Sequence, residues 1–165
     1  MTAAAESPSS PAVNTADLYD ERGEDLASVP LQFQSLGGRS HFSGQARTIR
    51  CFQDNALVKA TLATPGNGGV LVVDGGGSLE TALMGDMIAE SAVANGWAGV
   101  VINGAIRDRE ALTRLDLGVK ALGSNPRKSA KDGAGEVGVD VVIGGVTIRT
   151  GATIWCDPDG ILVER

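Results

Sequence analysis

The sequence predicts a mixed α/β fold, and three observations support this prediction. Two short apolar runs, 70–74 and 99–102, are bounded by glycines and have the length of buried strands. The stretch between them, 80–95, is rich in alanine and other good helix formers. Strand-like segments follow from 137 onward, and Gly144-Gly145 between the first two is typical of a hairpin turn. A strand–helix–strand unit followed by hairpins indicates a mixed α/β domain.

The elements before the first buried run are short. Residues 1–13 are rich in Ala, Ser and Pro, and we predict a disordered tail there. A helix is predicted to begin near Thr15, because threonine favours the N-cap position. Residues 42–52 have the alternating pattern of a strand, and 56–63 have the pattern of a helix that the following Pro and Gly residues end.

The later elements alternate with glycine-rich turns. Gly85-Asp86 is expected to divide the 80–95 segment and to begin a second helix, which Gly96 ends. A short helix is predicted over 108–115. The remaining predicted segments are the strands 119–123, 137–143, 146–150, 153–156 and 161–163, and a polar loop at 124–135.

Length, charge and cysteine content exclude several classes of protein. The 165 residues suit one domain, which we place at 14–165. A net charge of −6 disfavours direct nucleic-acid binding, since phosphate contacts need Lys and Arg. No stretch has membrane-spanning length and no leader-like segment begins the chain, so a cytoplasmic location is expected. Cys51 and Cys156 belong to no Cys-x-x-Cys motif and are predicted to be buried free thiols.

Gly75-Gly76-Gly77, directly after a predicted strand, is the first candidate site. Backbone amides could approach a ligand closely here. However, the segment has neither the spacing of a dinucleotide fingerprint nor the Gly-Lys-Ser/Thr of a P-loop. A tight turn and a binding loop are therefore both open interpretations.

Gly85-Asp86-Met87-Ile88 is the second candidate, at a predicted helix start. Amides without partners inside a helix form an anion site, which the carboxylate of a 2-oxo acid could occupy. The alternative is that Asp86 only caps the helix.

Arg107 and Asp108 form the third candidate, beyond the strand at 99–102. Open α/β sheets bind ligands at the carboxyl ends of their strands. The planar guanidinium of Arg107 suits a carboxylate or keto acid, and Asp108 is a hard oxygen ligand for a water-rich Mg²⁺. The alternative is a simple Arg–Asp pair with Asp108 as a helix cap.

Four further residues are given structural interpretations. His41 is the only histidine, which excludes a His-rich metal site. Lys128 and Lys131 lie in the polar loop and are predicted to be solvated. Trp97 follows the helix-ending glycine and is predicted to anchor the packing there.

The candidate motifs also occur in a recognisable order. They are Val-Asp-Gly-Gly-Gly at 73–77, Gly85-Asp86 before an Ala-rich helix, Gly-Trp-x-Gly-Val-Val-Ile at 96–102 and Gly-x-x-Arg-Asp at 104–108. Together they resemble the central block of the RraA-like family, and IGGVTIRTGATIWCDPDGILV at the end resembles its closing hairpins. The similarity covers roughly 15–163. Members of this family include metal-dependent (class II) aldolases of 4-hydroxy-4-methyl-2-oxoglutarate and regulators of ribonuclease E activity.

The resemblance implies both a fold and a set of site residues. The fold would be a layered α/β/β, swivelling-domain-like arrangement with a central mixed sheet and C-terminal hairpins, assembled as a homotrimer or a multiple of it. Gly85, Asp86, Met87 and Ile88 would bind the substrate through their backbone amides, and Arg107 would hold its keto-acid portion. Asp108 would bind a divalent cation, Mg²⁺ or Mn²⁺, and Arg107 and Asp86 would be catalytic.

The activity that the resemblance implies is that of a lyase. Aldol cleavage of 4-hydroxy-4-methyl-2-oxoglutarate to two pyruvates and decarboxylation of oxaloacetate both pass through a pyruvate enolate, which a metal and Arg107 would stabilise. No Schiff-base lysine is needed. Larger aldolases of the family carry a C-terminal extension that supplies a carboxylate to the neighbouring subunit. Here the nearest carboxylate to the end is Glu164, so decarboxylation is expected to be the stronger activity.

The alternative is a non-catalytic inhibitor of ribonuclease E. The acidic chain would suit a basic segment of that partner. The presence of Asp108 favours the enzyme, because members that only regulate can lack this Asp. A methyltransferase is not expected, because the glycine segment has the wrong spacing for a methyl-donor nucleotide.

Overall fold

The described residues, 12–165 of a computed structural model, form four helices, one 3-10 turn and eleven strands. Most of the predicted tail, residues 1–11, lies outside the described residues. The helices are α1 Thr15–Arg22, α2 Ala56–Leu62, α3 Asp86–Ala94 and α4 Arg109–Leu112, and the 3-10 turn is Gly23–Asp25. The strands are β1 Leu26–Ser28, β2 Gln34–Ser35, β3 Phe42–Arg50, β4 Val70–Asp74, β5 Gly99–Ile106, β6 Gly118–Ser124, β7 Glu136–Val137, β8 Val141–Ile143, β9 Val146–Ile148, β10 Thr153–Asp157 and β11 Gly160–Glu164.

Strand β3 joins two halves of a mixed sheet whose order is β1-β11-β10-β3-β4-β5-β6-β2, with β7 also paired to β3. The first half of β3 pairs antiparallel with β10, and its second half pairs parallel with β4. Strands β4, β5 and β6 continue the parallel arrangement. Hairpins β8–β9 and β10–β11 complete the chain. The predicted central mixed sheet with C-terminal hairpins is confirmed.

Alternating side chains of β4 divide the core into two layers. Leu71 and Val73 belong to a cluster that includes the buried faces of α2 and α3. Val70 and Val72 belong to a second cluster, together with the apolar residues of the two hairpins. A parallel strand buried on both faces needs this continuous apolar run. The result is the expected α/β/β layering.

Three predicted element boundaries are wrong, two of them because long-range contacts override local preference. Residues 80–85 are not helical, since Ala82 and Leu83 donate backbone bonds of 2.8 Å to Arg127 and Ala105. Strand β5 continues past its predicted end at 102 to Ile106, and Ala105 in this extension accepts the Leu83 amide. Helix α4 covers only Arg109–Leu112 of the predicted 108–115. The predicted strand 137–143 is divided at Gly138, whose φ of +80° suits glycine.

The start of α1 also differs from the prediction. Asn14 is the N-cap, and its side chain accepts a hydrogen bond from the Asp17 amide at 3.1 Å. Thr15 is instead the first helical residue and is buried. Its amide and hydroxyl both donate to the Asp157 carboxylate at 2.7 Å. The threonine therefore ties α1 to the end of β10.

Asp157 is also the neighbour of a buried lysine that the sequence did not indicate. Lys120 is only 1% exposed, and its Nζ donates to the Asp157 carbonyl at 2.6 Å. Burial lowers the pKa of Lys120. The Asp157 carboxylate accepts two further amides, from Asp159 and Gly160, at 2.9 and 3.3 Å. Burial alone raises the pKa of Asp157, but its hydrogen bonds outweigh burial and the net direction is downward.

Other predicted core residues lie where the sequence placed them. Trp97 is buried, its Nε1 donates to the Thr64 carbonyl at 3.0 Å, and Arg47 stacks on its ring. Cys51 and Cys156 are buried free thiols, and burial raises the pKa of Cys51 to about 11. Across residues 12–165, no helix has both the length and the apolar character needed to cross a membrane.

Candidate functional site

The parallel strands β3 to β6 end at one edge of the sheet, and the candidate residues lie in the loops along it. Gly75-Gly76-Gly77 closes β4 as a tight turn. The amides of Gly75 and Gly77 donate to the Asn103 carbonyl at 3.1 Å, and that of Gly76 donates to Asp74 Oδ1 at 3.0 Å. All three amides are thus bonded within the protein, which favours the turn interpretation over a binding loop.

Residues 85–88 form the start of α3, as predicted, but Asp86 does not cap it. Gly85 occupies the N-cap position and Asp86 is the first helical residue. The cap comes from another element, because Asp108 Oδ2 accepts the Asp86 amide at 3.0 Å. The alternative in which Asp86 merely caps its own helix is therefore wrong.

Gly85 allows this close approach because it has no side chain. A Cβ at this position would lie 2.6 Å from Asp108 Oδ2 and 3.2 Å from Arg107 Nε. The preceding Met84 carbonyl accepts the Arg107 amide at 2.9 Å. Helix α3 and the Arg107-Asp108 pair are consequently held against each other by short contacts.

Arg107 and Asp108 are both substantially exposed at this junction. Arg107 Nε lies 3.9 Å from Asp108 Oδ2, and its Nη1 makes one long bond of 3.4 Å to the Pro126 carbonyl. Much of the guanidinium is therefore free to bind a ligand. Asp108 has φ +60° and ψ 44°, a left-handed conformation that Asp tolerates better than most residues. It occupies the N-cap position of α4 but makes no side-chain bond to that helix.

A cleft of about 250 Å³ opens beside these residues. It contains the whole 85–88 segment and Arg107. Its other lining residues are Asn55, Lys59, Ala63, Ala82, Ser91, Lys128 and Lys131. Asp86 is the one carboxylate among these described lining residues, so positive charge predominates. The cleft therefore suits a ligand with more than one negative charge.

Lys59, Lys128 and Lys131 are the lysines of this cleft. All three are exposed, and none forms a salt bridge with another described residue. The prediction that Lys128 and Lys131 are solvated was correct but incomplete, because it did not place them beside Arg107. Their spacing of three residues in one polar loop was the sequence feature that could have indicated a shared position.

Asn55 also lines the cleft, and the sequence did not indicate it. It is 8% exposed, and its Oδ1 has no hydrogen-bond partner among the described residues. An unsatisfied buried polar group costs about 1–3 kcal/mol. Such a group beside a cationic cleft supports ligand binding there. The signal for it was its location shortly after the carboxyl end of β3.

The residues at this junction fit a hydrated divalent cation. Within 12–165 no three His, Cys, Asp or Glu side chains form a metal cluster. Mg²⁺ needs only one or two carboxylates, because it keeps several waters. Asp108 is exposed, and its Oδ1 makes no hydrogen bond in the described structure, so it is available as such a ligand. His41 bonds with Ser40 and Glu164 with Arg22, and neither lines the cleft.

Comparison with known proteins gives consistent matches over nearly the whole chain. Residues 15–163 match the sequence model of the RraA-like family, described as Aldolase/RraA. The RNA-processing inhibitor RraA from Thermus thermophilis is 48% identical, with a TM-score of 0.89 and coverage of 92% of both chains. A Geobacillus kaustophilus protein described as an S-adenosylmethionine:2-dimethylmenaquinone methyltransferase is 44% identical, with a TM-score of 0.91 and coverage of 92% of this chain and 94% of that one.

A more distant structure is similar to the same part of the chain. Streptomyces coelicolor RraAS2, an unusual member of the RNase ES inhibitor RraA protein family, is 29% identical with a TM-score of 0.72. The match covers 92% of this chain and 79% of that one.

Proposed function

The chain belongs to the RraA-like family, and from this membership we propose that it is a divalent-metal-dependent lyase. Its reactions would be cleavage of 4-hydroxy-4-methyl-2-oxoglutarate to two pyruvates and decarboxylation of oxaloacetate. The family includes aldolase and decarboxylase enzymes as well as ribonuclease E inhibitors. One observation carries the enzyme proposal. Arg107 and Asp108 lie in contact with the start of α3, beside a cleft lined with cationic side chains.

The start of α3 supplies the site for the carboxylate next to the keto group. Ala89 is the first residue whose amide bonds within the helix, to the Gly85 carbonyl at 3.1 Å. The amides of Met87 and Ile88 are therefore available for an anion. Arg107 lies at the same place and would bind the keto oxygen.

Both reactions then share one intermediate. Aldol cleavage breaks the C3–C4 bond as the 4-hydroxyl loses its proton, and decarboxylation breaks the bond to the departing CO₂. Each leaves pyruvate enolate. A divalent cation at Asp108 would supply Lewis-acid stabilisation of that enolate.

Side chains of this chain would perform the remaining steps. Arg107 would stabilise the developing oxyanion, and the cleft lysines would bind the second carboxylate. In aldol cleavage Asp86 would accept the proton of the 4-hydroxyl and return it to C3 of the enolate. No step needs an amine that forms a covalent bond with the substrate.

The second candidate function is inhibition of ribonuclease E without catalysis. It is supported by an acidic surface on α1 and the following 3-10 turn. Five carboxylates are exposed there: Asp17, Asp20, Glu21, Glu24 and Asp25. Such a surface would attract a basic segment of a partner protein.

We also propose the homotrimer, or a multiple of it, that the family resemblance implies. Phe52, Val137 and Val142 are 63%, 53% and 57% exposed, and subunit contacts would cover these large apolar side chains. Sedimentation equilibrium tests the assembly, and a monomer at micromolar concentration would contradict it.

Pyruvate release tests the enzyme proposal. Wild type, Asp108→Ala and the control Asp20→Ala, on α1, would be assayed with both substrates, with Mg²⁺ and with chelator. We expect turnover that needs Mg²⁺ and that only Asp108→Ala abolishes. A folded wild-type protein inactive on both substrates would refute the enzyme proposal. Inhibition of purified ribonuclease E by that protein would then support the second candidate.

A further inference from the structure

The loop at 127–134 carries Lys128 and Lys131, and both lysines line the cleft. The segment from 131 to 135 belongs to no helix or strand, so other contacts must fix it. Ser129 is buried between the two lysines, and its Oγ donates to the Ala82 carbonyl at 2.7 Å. This bond fixes the Lys128 side of the loop.

The Lys131 side is fixed by two backbone bonds of Ala130, to Gln53 and Asn55 at 2.9 and 3.0 Å, and by the side chain of Asp54. This carboxylate is 3% exposed and accepts the amides of residues 132, 133 and 134 at 2.9, 3.1 and 3.3 Å. It also accepts the Ala56 amide at 3.1 Å, at the start of α2. Burial alone raises the pKa of Asp54, but these amides outweigh burial and lower it overall, so the carboxylate remains ionised. One buried anion therefore connects α2 to the loop immediately after Lys131.

We propose that Asp54 is a positioning residue that holds Lys131 over the cleft and so sets the affinity for the substrate's second carboxylate. This inference rests on the proposed function. Oxaloacetate and 4-hydroxy-4-methyl-2-oxoglutarate both carry a second carboxylate. With the first one at the start of α3, the second would lie toward the lysines that line the same cleft. Asp54 itself is buried, does not line the cleft, and acts through the position of Lys131.

The test compares Asp54→Asn, Lys131→Met and the double variant with wild type. Asp157→Asn is the matched control, because Asp157 is the other buried carboxylate with four donors but does not line the cleft. Two readouts are used with Mg²⁺ present: KM and kcat for cleavage of 4-hydroxy-4-methyl-2-oxoglutarate, and calorimetric binding of 2-oxoglutarate. 2-Oxoglutarate has the same carbon chain with both carboxylates, but it lacks the 4-hydroxyl group and is not cleaved.

We expect Asp54→Asn to raise both KM and the 2-oxoglutarate Kd about tenfold, the effect of losing one charge-assisted contact. The value of kcat should change by less than about threefold, because the reacting atoms are untouched. Adding Asp54→Asn to Lys131→Met should weaken binding no further, since both act through one side chain. Asp157→Asn should leave both constants unchanged.

Gly133→Ala provides a second test if Asp54→Asn does not fold. Gly133 is exposed, has φ +88°, and a Cβ there would meet no atom within 4 Å. The substitution therefore strains the loop without touching the carboxylate. It should also weaken 2-oxoglutarate binding.

Several results would overturn the inference. They are additive effects of Asp54→Asn and Lys131→Met, an equal effect of Asp157→Asn, an unchanged KM in Asp54→Asn, and no 2-oxoglutarate binding by wild type. If 2-oxoglutarate binds with the expected pattern but neither substrate is turned over, the inference stands and the proposed function fails. The two failures are thus distinguishable.

Discussion

Asp54 and Asp157 are two buried carboxylates with the same number of hydrogen-bond donors but different neighbours. Asp157 accepts two bonds from Thr15 and two from its own turn. The preceding residue, Cys156, pairs with Phe42 at the start of β3. Asp54 follows the other end of β3 and accepts its four bonds from Ala56 and the loop at 132–134. In both, the hydrogen bonds lower the pKa against the effect of burial.

The difference shows that a buried charge does not by itself mark a functional site. Around Asp157 the nearby polar groups are satisfied, including Lys120, whose Nζ donates to the Asp157 carbonyl. Near Asp54 one buried group is not, because Asn55 Oδ1 has no partner in the described structure, and the solvated Lys131 forms no salt bridge there and can bind a ligand. Unsatisfied groups at an accessible surface favour a ligand, whereas satisfied groups in the interior favour a structural role.

Gly85→Ala should have the largest effect on the cleft region. The new Cβ would lie 2.6 Å from Asp108 Oδ2, so the Arg107-Asp108 pair must move. Displacements of about 1 Å in a catalytic pair cost about 100-fold in rate. We expect kcat/KM for oxaloacetate to fall by about this factor while the fold persists.

Gly104→Ala is the control for this prediction. Gly104 lies in β5, and a Cβ there would make only contacts of 3.4 Å and longer. Activity should be retained. Equal activity of Gly85→Ala and wild type would show that the close contact at α3 does not matter for catalysis.

Asp157→Asn should have the largest effect on stability. The amide cannot replace a carboxylate that accepts four donors, so buried donors at Thr15 and in the turn lose their partner. We expect the free energy of unfolding to fall by about 2 kcal/mol, with KM unchanged. Urea unfolding and steady-state kinetics measure the two. A raised KM would break the comparison, because it would connect the Asp157 region to the cleft.

Local sequence patterns predicted the elements whose structure depends on local chemistry. Strand β4 follows from its apolar run, and the β8–β9 hairpin follows from Gly144-Gly145. The start of α3 and the Arg107-Asp108 pair were also found, because glycine and the carboxyl end of a strand mark such positions. Their roles in binding and catalysis remain proposals.

The remaining features depend on contacts between distant parts of the chain. Residues 80–84 have helix-forming side chains, yet Ala82 and Leu83 bond to Arg127 and Ala105. Lys131 reaches the cleft because Asp54 binds amides 78 to 80 residues later in the sequence. Neither contact follows from a local sequence pattern, so the sequence alone did not predict them.

Acid should reduce the stability contributed by both carboxylates. Because each has a lowered pKa in the folded state, the unfolded chain binds more protons. The contribution is complete above the ordinary Asp pKa of about 3.9 and is lost as pH falls through the folded-state values. Urea unfolding between about pH 3 and pH 6 should therefore show the gap between wild type and Asp157→Asn narrowing with acid. A gap that stays constant would contradict the assignment.

Lys120→Met should have the smallest effect, and its pH dependence is the informative part. The substitution removes a buried charge that is costly to desolvate but also removes the hydrogen bond to the Asp157 carbonyl, so the two changes oppose each other. We expect the free energy of unfolding at pH 7 to change by about 1 kcal/mol or less. Because burial lowers the pKa of Lys120, the unfolded wild type binds more protons, and wild type should gain stability relative to the variant as pH rises toward the ordinary lysine value of about 10.4. A pH-independent difference in urea unfolding would mean that Lys120 is not desolvated as its burial indicates.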